Sequence, residues 1–166
     1  MARRIAVELD ALLNEVEQGV VSRLAGIAAD RRWEVIFLTK NSTSNRTTTQ
    51  LDAQLWLESK GFVLPSVFAA PGPRGPIASA LGLDLVVDVE PENCVSVVSD
   101  SDARAILVSA HGRGSLPADA RRPEITLVKS FGECLDMLTV QDAPTPQRAG
   151  LFAWIRRLFD WKEMKA

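Results

Sequence analysis

Six short apolar runs, separated by stretches with helical spacing, constrain the fold of this chain more than any other feature of its sequence. Short runs without polar alternation are typical of strands that are buried on both faces. Their alternation with helices predicts an α/β fold, a doubly wound (Rossmann-like) parallel sheet with helices on both faces. The predicted strands are Ile5 to Val7, Val35 to Leu38, Val67 to Ala70, Leu85 to Val87, Ala105 to Val108 and Ile125 to Val128.

Crossover helices are predicted between these strands, because apolar residues recur there at helical spacing. Glycine, proline and a serine mark where several of the helices begin or end. The helical signals are Val16, Val20, Leu24 and Ile27; Thr47 to Ser59, with Leu51 and Leu55 on one face and Gly61 after it; Pro71 to Pro76, which opens a third helix; and Ser130, which caps a fourth helix that runs towards Leu138.

The length and composition predict one domain with a carboxyl-terminal extension. The chain has 166 residues, of which 46% are hydrophobic, and this is enough for a single core. Residues 1–140 carry the strand and helix signals, while residues 141–149 become polar with Pro144 and Pro146 and predict a linker. Residues 150–166 predict an amphipathic helix, whose apolar stripe is Leu151, Trp154, Ile155, Leu158, Phe159 and Trp161.

Three roles fit the apolar stripe of residues 150–166. The segment can dock on its own domain, it can form a homo-oligomer or a contact with a protein partner, or it can lie on a membrane surface. Its opposite side carries Arg156, Asp160 and Glu163. The sequence leaves the three roles open.

Charge and composition exclude several functional classes. A net charge of −2 with both signs interspersed gives no face for a polyanion, so nucleic-acid binding is not expected. No apolar run reaches the roughly 18 to 20 residues of a transmembrane segment, and the start lacks a signal-peptide core, which predicts a cytoplasmic protein. Cys94 and Cys134 lack a metal-ligand spacing, which predicts buried reduced thiols. His111, the single histidine, excludes a multi-histidine zinc centre and is expected in an exposed glycine-rich loop.

An acidic turn follows the fourth predicted strand. The segment from Leu81 to Val108 runs from an apolar strand to Asp88, then past Glu90 and Glu92 into a helix. Because ligands of parallel sheets bind outside the carboxyl ends of the strands, Asp88 is a candidate ligand for Mg²⁺. The same residues also fit an ordinary helix start, since Asp, Glu and Pro favour first turns.

Polar side chains follow other predicted strands in the same way. They are Glu8 and Asp10 after the first strand, Thr39 after the second, Arg74 at the start of a helix and Asp88 after the fourth strand. Such a set outlines a phosphoryl-transfer site, in which one carboxylate is the nucleophile, a second serves as acid and base, and a hydroxyl and a cation hold phosphoryl oxygens. Mg²⁺ would neutralise the remaining charge.

This arrangement resembles the haloacid dehalogenase-like (HAD-like) superfamily of phosphatases and phosphotransferases. The resemblance covers roughly Ile5 to Leu138. Its strongest parts are FLTKNSTSNRTTTQLDAQLWLESKGFVLPSVF and RGPIASALGLDLVVDVEPENC, which look like a set of small HAD-like proteins that carry a DDRPENC segment. The family places a nucleophile Asp and an acid/base Asp in a DxDGT pattern after the first strand.

The resemblance implies a role for each candidate residue. Glu8 stands at the nucleophile position and Asp10 at the acid/base position. Thr39 takes the place of the family's Thr or Ser after the second strand, and Arg74 that of the Lys or Arg before the last helix. The implied Mg²⁺ would be held by Glu8, Asp10 and Asp88.

Two departures from the family pattern bear on activity. The first motif is ELDALL, so Glu8 stands where the family has the shorter Asp, and a shift of about 1 Å in a reacting group can cost on the order of 10²-fold in rate. After the fourth strand, Val89 replaces the second acid of the resembled segment. We expect weaker Mg²⁺ binding from this loss, although Glu90 can partly substitute.

Each candidate also has an ordinary structural explanation. Thr39 can satisfy a backbone group at a strand end, and Asp10 can cap the first helix. Arg74 can be a solvated residue of the PGPRGP loop, although its guanidinium suits bidentate phosphate contact. Glu8 can be a solvated acid.

Two functional hypotheses follow. The first is a HAD-like, Mg²⁺-dependent phosphohydrolase of weak activity on an unknown phosphorylated substrate, with an open crevice because the motif spacing leaves no room for a cap domain. The second is a catalytically degenerate HAD-like domain that works by binding, with residues 150–166 as its contact element. A receiver domain is disfavoured because no Asp ends the third strand, and a dinucleotide-binding domain because no GxGxxG follows the first.

Overall fold

The computed structural model describes residues 2–13, 19–30, 32–40 and 50–141. The strands are β1 (Arg3–Glu8), β2 (Trp33–Thr39), β3 (Ser66–Ala69), β4 (Leu85–Asp88), β5 (Arg104–Val108) and β6 (Ile125–Val128). The α-helices are α1 (Leu9–Leu13), α2 (Val20–Ala29), α3 (Gln50–Ser59), α4 (Arg74–Leu81), α5 (Pro91–Asp100) and α6 (Phe131–Gln141), with short 3₁₀ turns at Arg113–Ser115 and Ala118–Arg121.

The six strands form one parallel sheet in the order β3-β2-β1-β4-β5-β6. The predicted doubly wound, Rossmann-like α/β fold is therefore confirmed. The strand order reverses between β1 and β4, which are neighbours in the sheet although two strands separate them in the chain. Ligand crevices of open α/β sheets lie at such a switch point, outside the carboxyl ends of the strands.

Helices cover both faces of the sheet, and alternate residues of each strand point to opposite faces. Ile5 and Val7 of β1 pack in the core beneath α2, α3 and α6, whereas Ala6 between them packs beneath α4 and α5. Phe37 and Phe62 meet edge to face in the first core, with ring centroids 5.0 Å apart. The first face carries the larger side chains, so most of the apolar burial lies on that side.

The buried face of α3 differs from the prediction. Leu51 and Leu55, the pair expected to face the core, are 62% and 55% exposed, whereas Ala53 and Leu57 are buried. Both pairs have the same four-residue spacing, so periodicity alone cannot choose between them. The small side chain of Ala53 lets the helix approach the sheet closely, and it contacts the same core as Leu57.

The start of α6 agrees with the sequence. The hydroxyl of Ser130 accepts a hydrogen bond from the backbone N–H of Glu133 at 3.1 Å, and the Glu133 carboxylate accepts one from the backbone N–H of Lys129 at 2.6 Å. These reciprocal bonds satisfy donors at the helix end that have no partner within the helix. Ser130 is the predicted cap.

Other predictions concern side chains away from the sheet edge. Cys94 and Cys134 are both buried and free, as expected, and burial raises the pKa of the Cys134 thiol to about 12. His111 is exposed in the loop after β5. Among the described residues, no helix is long and apolar enough to cross a membrane. Val16, Thr47 and residues 142–166, with most of the predicted linker and the amphipathic segment, lie outside the described residues.

Candidate active site

The five candidate residues meet at the carboxyl edge of the sheet. Three of them are the last residues of their strands: Glu8 ends β1, Thr39 ends β2 and Asp88 ends β4. Asp10 lies in the first turn of α1, and Arg74 is the first residue of α4. The site therefore straddles the switch point between β1 and β4.

A buried ion cluster joins β1, β4 and α4. The Arg74 guanidinium is 0% exposed, Glu8 is 3% exposed and Asp88 is 1% exposed. Arg74 Nη2 donates to Glu8 Oε2, its Nε donates to Asp88 Oδ2 at 3.3 Å, and its Nη1 donates to the carbonyl of Ala70. The solvated positions considered for Arg74 and Glu8 are therefore wrong, since both groups lie inside the protein.

Asp88 has further partners at the start of α5. Its Oδ1 accepts the backbone N–H of Glu90 at 2.8 Å, and its Oδ2 accepts the Asn93 side-chain amide at 3.0 Å. Asp88 thus orders the amino end of α5 while it pairs with Arg74. Both of its oxygens accept hydrogen bonds from protein donors, so a metal ion at Asp88 would have to compete with these donors.

A second group joins α1 to the end of β2. The Thr39 hydroxyl is 3.0 Å from both carboxylate oxygens of Asp10, and the backbone N–H of Lys40 donates to Asp10 Oδ2 at 2.9 Å. Asp10 is partly buried, and Thr39 is buried. The acid two residues after Glu8 is therefore held against the strand end that carries the hydroxyl.

Two residues of the site were not among the predicted site residues. Lys40 Nζ pairs with Glu90 Oε1 across the rim, and both side chains are partly exposed. Asn93 is buried and also donates to Glu90 Oε2 at 3.3 Å. Lys40 had a sequence signal, since it directly follows the last residue of a strand, and Asn93 lies one helical turn after Glu90.

Burial sets the protonation of Glu8. Loss of hydration raises its pKa to about 7, because the neighbouring Arg74 cation only partly offsets it and the negative charge of Asp88 adds to the rise. A proton on Glu8 makes the cluster of Arg74, Glu8 and Asp88 neutral. At the rim, the hydrogen bond to Glu90 raises the pKa of Lys40, so this amine stays charged.

Close packing of two helices brings Arg74 into the protein. A Cβ on Gly75 would lie 2.3 Å from the Ser96 carbonyl and 2.6 Å from Asp100 Cβ, so only glycine fits where α4 crosses α5. The backbone N–H of Gly75 also donates to Ser96 Oγ at 3.0 Å. This contact places the amino end of α4 beside β4 and directs the preceding arginine towards Asp88.

The residues expected to hold Mg²⁺ are engaged by protein groups in this structure. Glu8 and Asp88 share one guanidinium, and Asp10 accepts bonds from Thr39 and Lys40 instead. Within the residues that the structure describes, no three histidine, cysteine or acidic side chains form a group that could hold a metal ion. The Mg²⁺ assignment stays a prediction, and the ion would have to displace or share the contacts of Arg74.

No family model and no curated protein matches this chain. The HAD-like assignment therefore rests on the residues and motifs of the sequence and stays a prediction.

Proposed function

We propose that this chain is a small, capless HAD-like domain whose catalytic edge is degenerate and that it works by binding. The observation that carries the proposal is the buried guanidinium of Arg74, which pairs with the carboxylates at both the nucleophile position and the metal position. This internal cation supplies one positive charge at the place where a divalent ion would supply two. Because both carboxylates are paired with Arg74, neither is available for nucleophilic attack or for metal binding.

The accessibility of Glu8 argues against efficient turnover. A carboxylate nucleophile must be ionised and must approach phosphorus in line with the leaving group. Glu8 is almost fully covered, it is engaged by Arg74, and its pKa of about 7 leaves a substantial fraction protonated at neutral pH. Each of these features lowers the population of a reactive carboxylate.

The charge at the edge also disfavours unaided phosphate binding. Four carboxylates lie there with two basic side chains, so this set is net negative when all are ionised; its members are Glu8, Asp10, Asp88, Glu90, Lys40 and Arg74. The Lys40 and Arg74 cations already have carboxylate partners. A phosphorylated substrate would have to compete with those carboxylates for the same donors.

The second candidate function is a Mg²⁺-dependent phosphohydrolase of weak activity. The contact between Asp10 and Thr39 favours it, because it brings an acid/base candidate and a phosphoryl-binding candidate together beside Glu8. Glu8, Asp10 and Asp88 would hold the cation, which would supply charge neutralisation when bound. The intervals from Asp10 to Thr39 and from Thr39 to Arg74 each contain a crossover helix and leave no room for a cap domain, so the edge would be open to a bulky substrate.

A phosphatase assay on the purified full chain distinguishes the two candidates. With a generic aryl phosphate, with and without Mg²⁺, we expect turnover no greater than that of the Glu8→Gln variant. The double variant Glu8→Asp with Val89→Asp restores the shorter acid and the second acid, and we expect it to gain Mg²⁺-dependent turnover. Robust Mg²⁺-dependent hydrolysis by the native chain that Glu8→Gln abolishes would overturn the binding proposal.

A further inference from the structure

A groove lies at the amino edge of the sheet, on the side opposite the candidate active site. It has a volume of about 310 Å³ and is bounded by the end of α2, the starts of β2 and β3 and the loop between α3 and β3. Its floor is formed by buried Ala25, Trp33, Val35 and Phe62, and its exposed lining is a mixture of polar and apolar atoms. The site residues lie at the other ends of the same strands, so this groove is separate from them.

The rim of the groove exposes two large apolar side chains in sequence. Val63 is 88% exposed and Leu64 is 84% exposed, and both line the groove. Leu64 also has a φ of 48°, a left-handed conformation that is unfavourable for a residue with a branched side chain. An adjacent pair of exposed apolar residues on a strained loop beside an apolar floor is a surface suited to burial against another apolar face.

The described chain ends one helix away from this groove. Helix α6 packs against α2, with Arg23 Nη2 2.5 Å from Asp136 Oδ1. Near its end, Thr139 lines a shallow pocket together with Gly26, Ile27, Ala29 and Asp30 of α2. Ala29 belongs to the walls of both this pocket and the groove, so one helix separates the exit of the chain from the groove.

We propose that residues 150–166 of the same chain dock in this groove, with their apolar stripe against Val63, Leu64 and the apolar floor. The segment carries Leu151, Trp154, Ile155, Leu158, Phe159 and Trp161 on one predicted face. Burial of such large apolar side chains is favourable, because it removes apolar surface from water. Because the proposed occupant belongs to the same chain, its docking would not depend on protein concentration.

The connecting residues are long enough for this docking. Residues 142–149 can span about 26 Å when extended, at roughly 3.3 Å per residue. Packed helices lie only about 8 to 10 Å apart, so the linker can cross α2 with length to spare. A predicted helix over residues 150–166 would then be about 25 Å long, at 1.5 Å per residue.

Charge at the rim of the groove does not decide between occupants. Residues 150–166 contain four basic and two acidic side chains, so the segment has a net positive charge. Glu34, which lines the groove, is paired with Arg4 Nε at 2.9 Å, and about half of its side chain is exposed. A basic side chain of the segment would share the Glu34 carboxylate with Arg4, so this charge contributes little to docking.

Disulfide trapping in the full chain tests the docking. The test protein carries Val63→Cys with Leu158→Cys, and the matched control carries Leu51→Cys with Leu158→Cys. Leu51 is exposed like Val63 but lies at the other end of α3, away from the groove. The native Cys94 and Cys134 are buried and stay out of the reaction. After mild oxidation, linked species are separated by non-reducing electrophoresis and located by mass spectrometry.

We expect a link within one chain, with a yield roughly ten-fold above that of the control, which corresponds to about 1.4 kcal/mol of docking free energy. Because Leu158→Cys can itself weaken docking, amide hydrogen exchange of residues 61–66 is compared between the native full chain and a chain that ends at Ala149. Faster exchange in the shorter chain supports the proposal. Links between two chains, equal yields in both proteins, or unchanged exchange in the shorter chain would overturn it.

Discussion

At the scale of single residues, Arg74 determines the charge and the pairing of the buried carboxylates in the site. It is the one described cation between Glu8 and Asp88, and all three side chains are buried. Removal of one member of a buried ion pair leaves an uncompensated charge, which is commonly destabilising by about 3 to 5 kcal/mol. We therefore expect Arg74→Met to lower the free energy of unfolding by an amount in this range at pH 7.5.

Mg²⁺ should restore part of the stability of Arg74→Met and leave the native protein unchanged. A ligand that binds only the folded state stabilises it, and removal of the guanidinium frees two adjacent carboxylates for a cation. Urea unfolding with and without the ion measures this. Arg32→Met is the control, because Arg32 forms its ion pair with Asp30 at the surface, where such pairs contribute little. If Mg²⁺ changes the unfolding free energy equally in the native protein and in Arg74→Met, Arg74 does not occupy the place of a divalent ion.

Glu8 gives the stability a defined dependence on pH. Its pKa is raised from 4.5 to about 7 in the folded protein, so between these values the folded state holds a proton that the unfolded state has released. Its contribution is complete below about pH 4.5 and is lost as the pH rises through 7. We expect the free energy of unfolding to fall relative to Glu8→Gln by up to about 3 kcal/mol over this window.

The measurement compares urea unfolding of native protein and Glu8→Gln at several pH values from 4 to 8.5. Other titrating groups are shared by the two proteins, so their difference isolates Glu8. A difference that stays constant with pH, or that grows in favour of the native protein as pH rises, is incompatible with a buried, protonated Glu8.

The sequence predicts which residues meet but not how they pair. Glu8, Thr39 and Asp88 could be placed at one edge because the carboxyl ends of parallel strands share that edge. The burial of Arg74 could not be predicted, because PGPRGP has the composition of an exposed loop and the position of the side chain depends on a helix crossing. Lys40 was missed for a similar reason, since its partner Glu90 is 50 residues away in the chain.

At the scale of elements, the crossing of α4 and α5 at Gly75 positions the cluster. A methyl group on Gly75 would clash with the backbone carbonyl of Ser96, so one helix has to move. We expect Gly75→Ala to cost about 1 to 3 kcal/mol in unfolding free energy, the range for overpacking in a well-packed core. Gly72→Ala is the control, because a Cβ there has no neighbour within 4 Å among the described residues.

Gly75→Ala should also displace Arg74, and this separates it from an ordinary loss of stability. If Arg74 moves away from Glu8, the Glu8 carboxylate loses its cation, and the pH dependence of unfolding described above should shift to higher pH. Urea unfolding of Gly75→Ala across the same pH range measures this shift. Equal stability of Gly75→Ala and Gly72→Ala would show that α4 and α5 have more room than the structure gives them.

Elements were predicted well where burial on both faces left a continuous apolar run. Five of the six strands coincide with the predicted runs or extend them by one or two residues at an end, whereas β3 is shifted by one residue to Ser66–Ala69. A central strand of a parallel sheet needs a continuous apolar run, but β3 lies at the edge of the sheet and is largely exposed. Helix faces were harder to predict, as Leu51 and Leu55 show. A leucine pair and an alanine-leucine pair with equal spacing are distinguished by the shape of the sheet beneath them, which the local sequence does not contain.

At the scale of the whole molecule, the two edges of the sheet carry different features. The carboxyl edge holds the ion cluster, and the amino edge holds the groove proposed for residues 150–166. Because the same strands run from one edge to the other, docking at the amino edge leaves the carboxyl edge accessible. The apolar segment can therefore be buried without closing the site.

Docking of residues 150–166 also predicts a change in the unfolding of the whole chain. A chain that ends at Ala149 should lose about 2 to 4 kcal/mol of unfolding free energy, less than the summed transfer free energies because docking also orders the linker. Its denaturant m-value should fall as well, since less surface becomes exposed on unfolding. Val63→Asp provides the matched test. It should destabilise the full chain, where docking would bury this side chain. It should be almost neutral in the shorter chain, where residue 63 is exposed to solvent whether it is Val or Asp. Urea unfolding of the four proteins gives this coupling, and additive effects of the truncation and Val63→Asp would place the segment elsewhere.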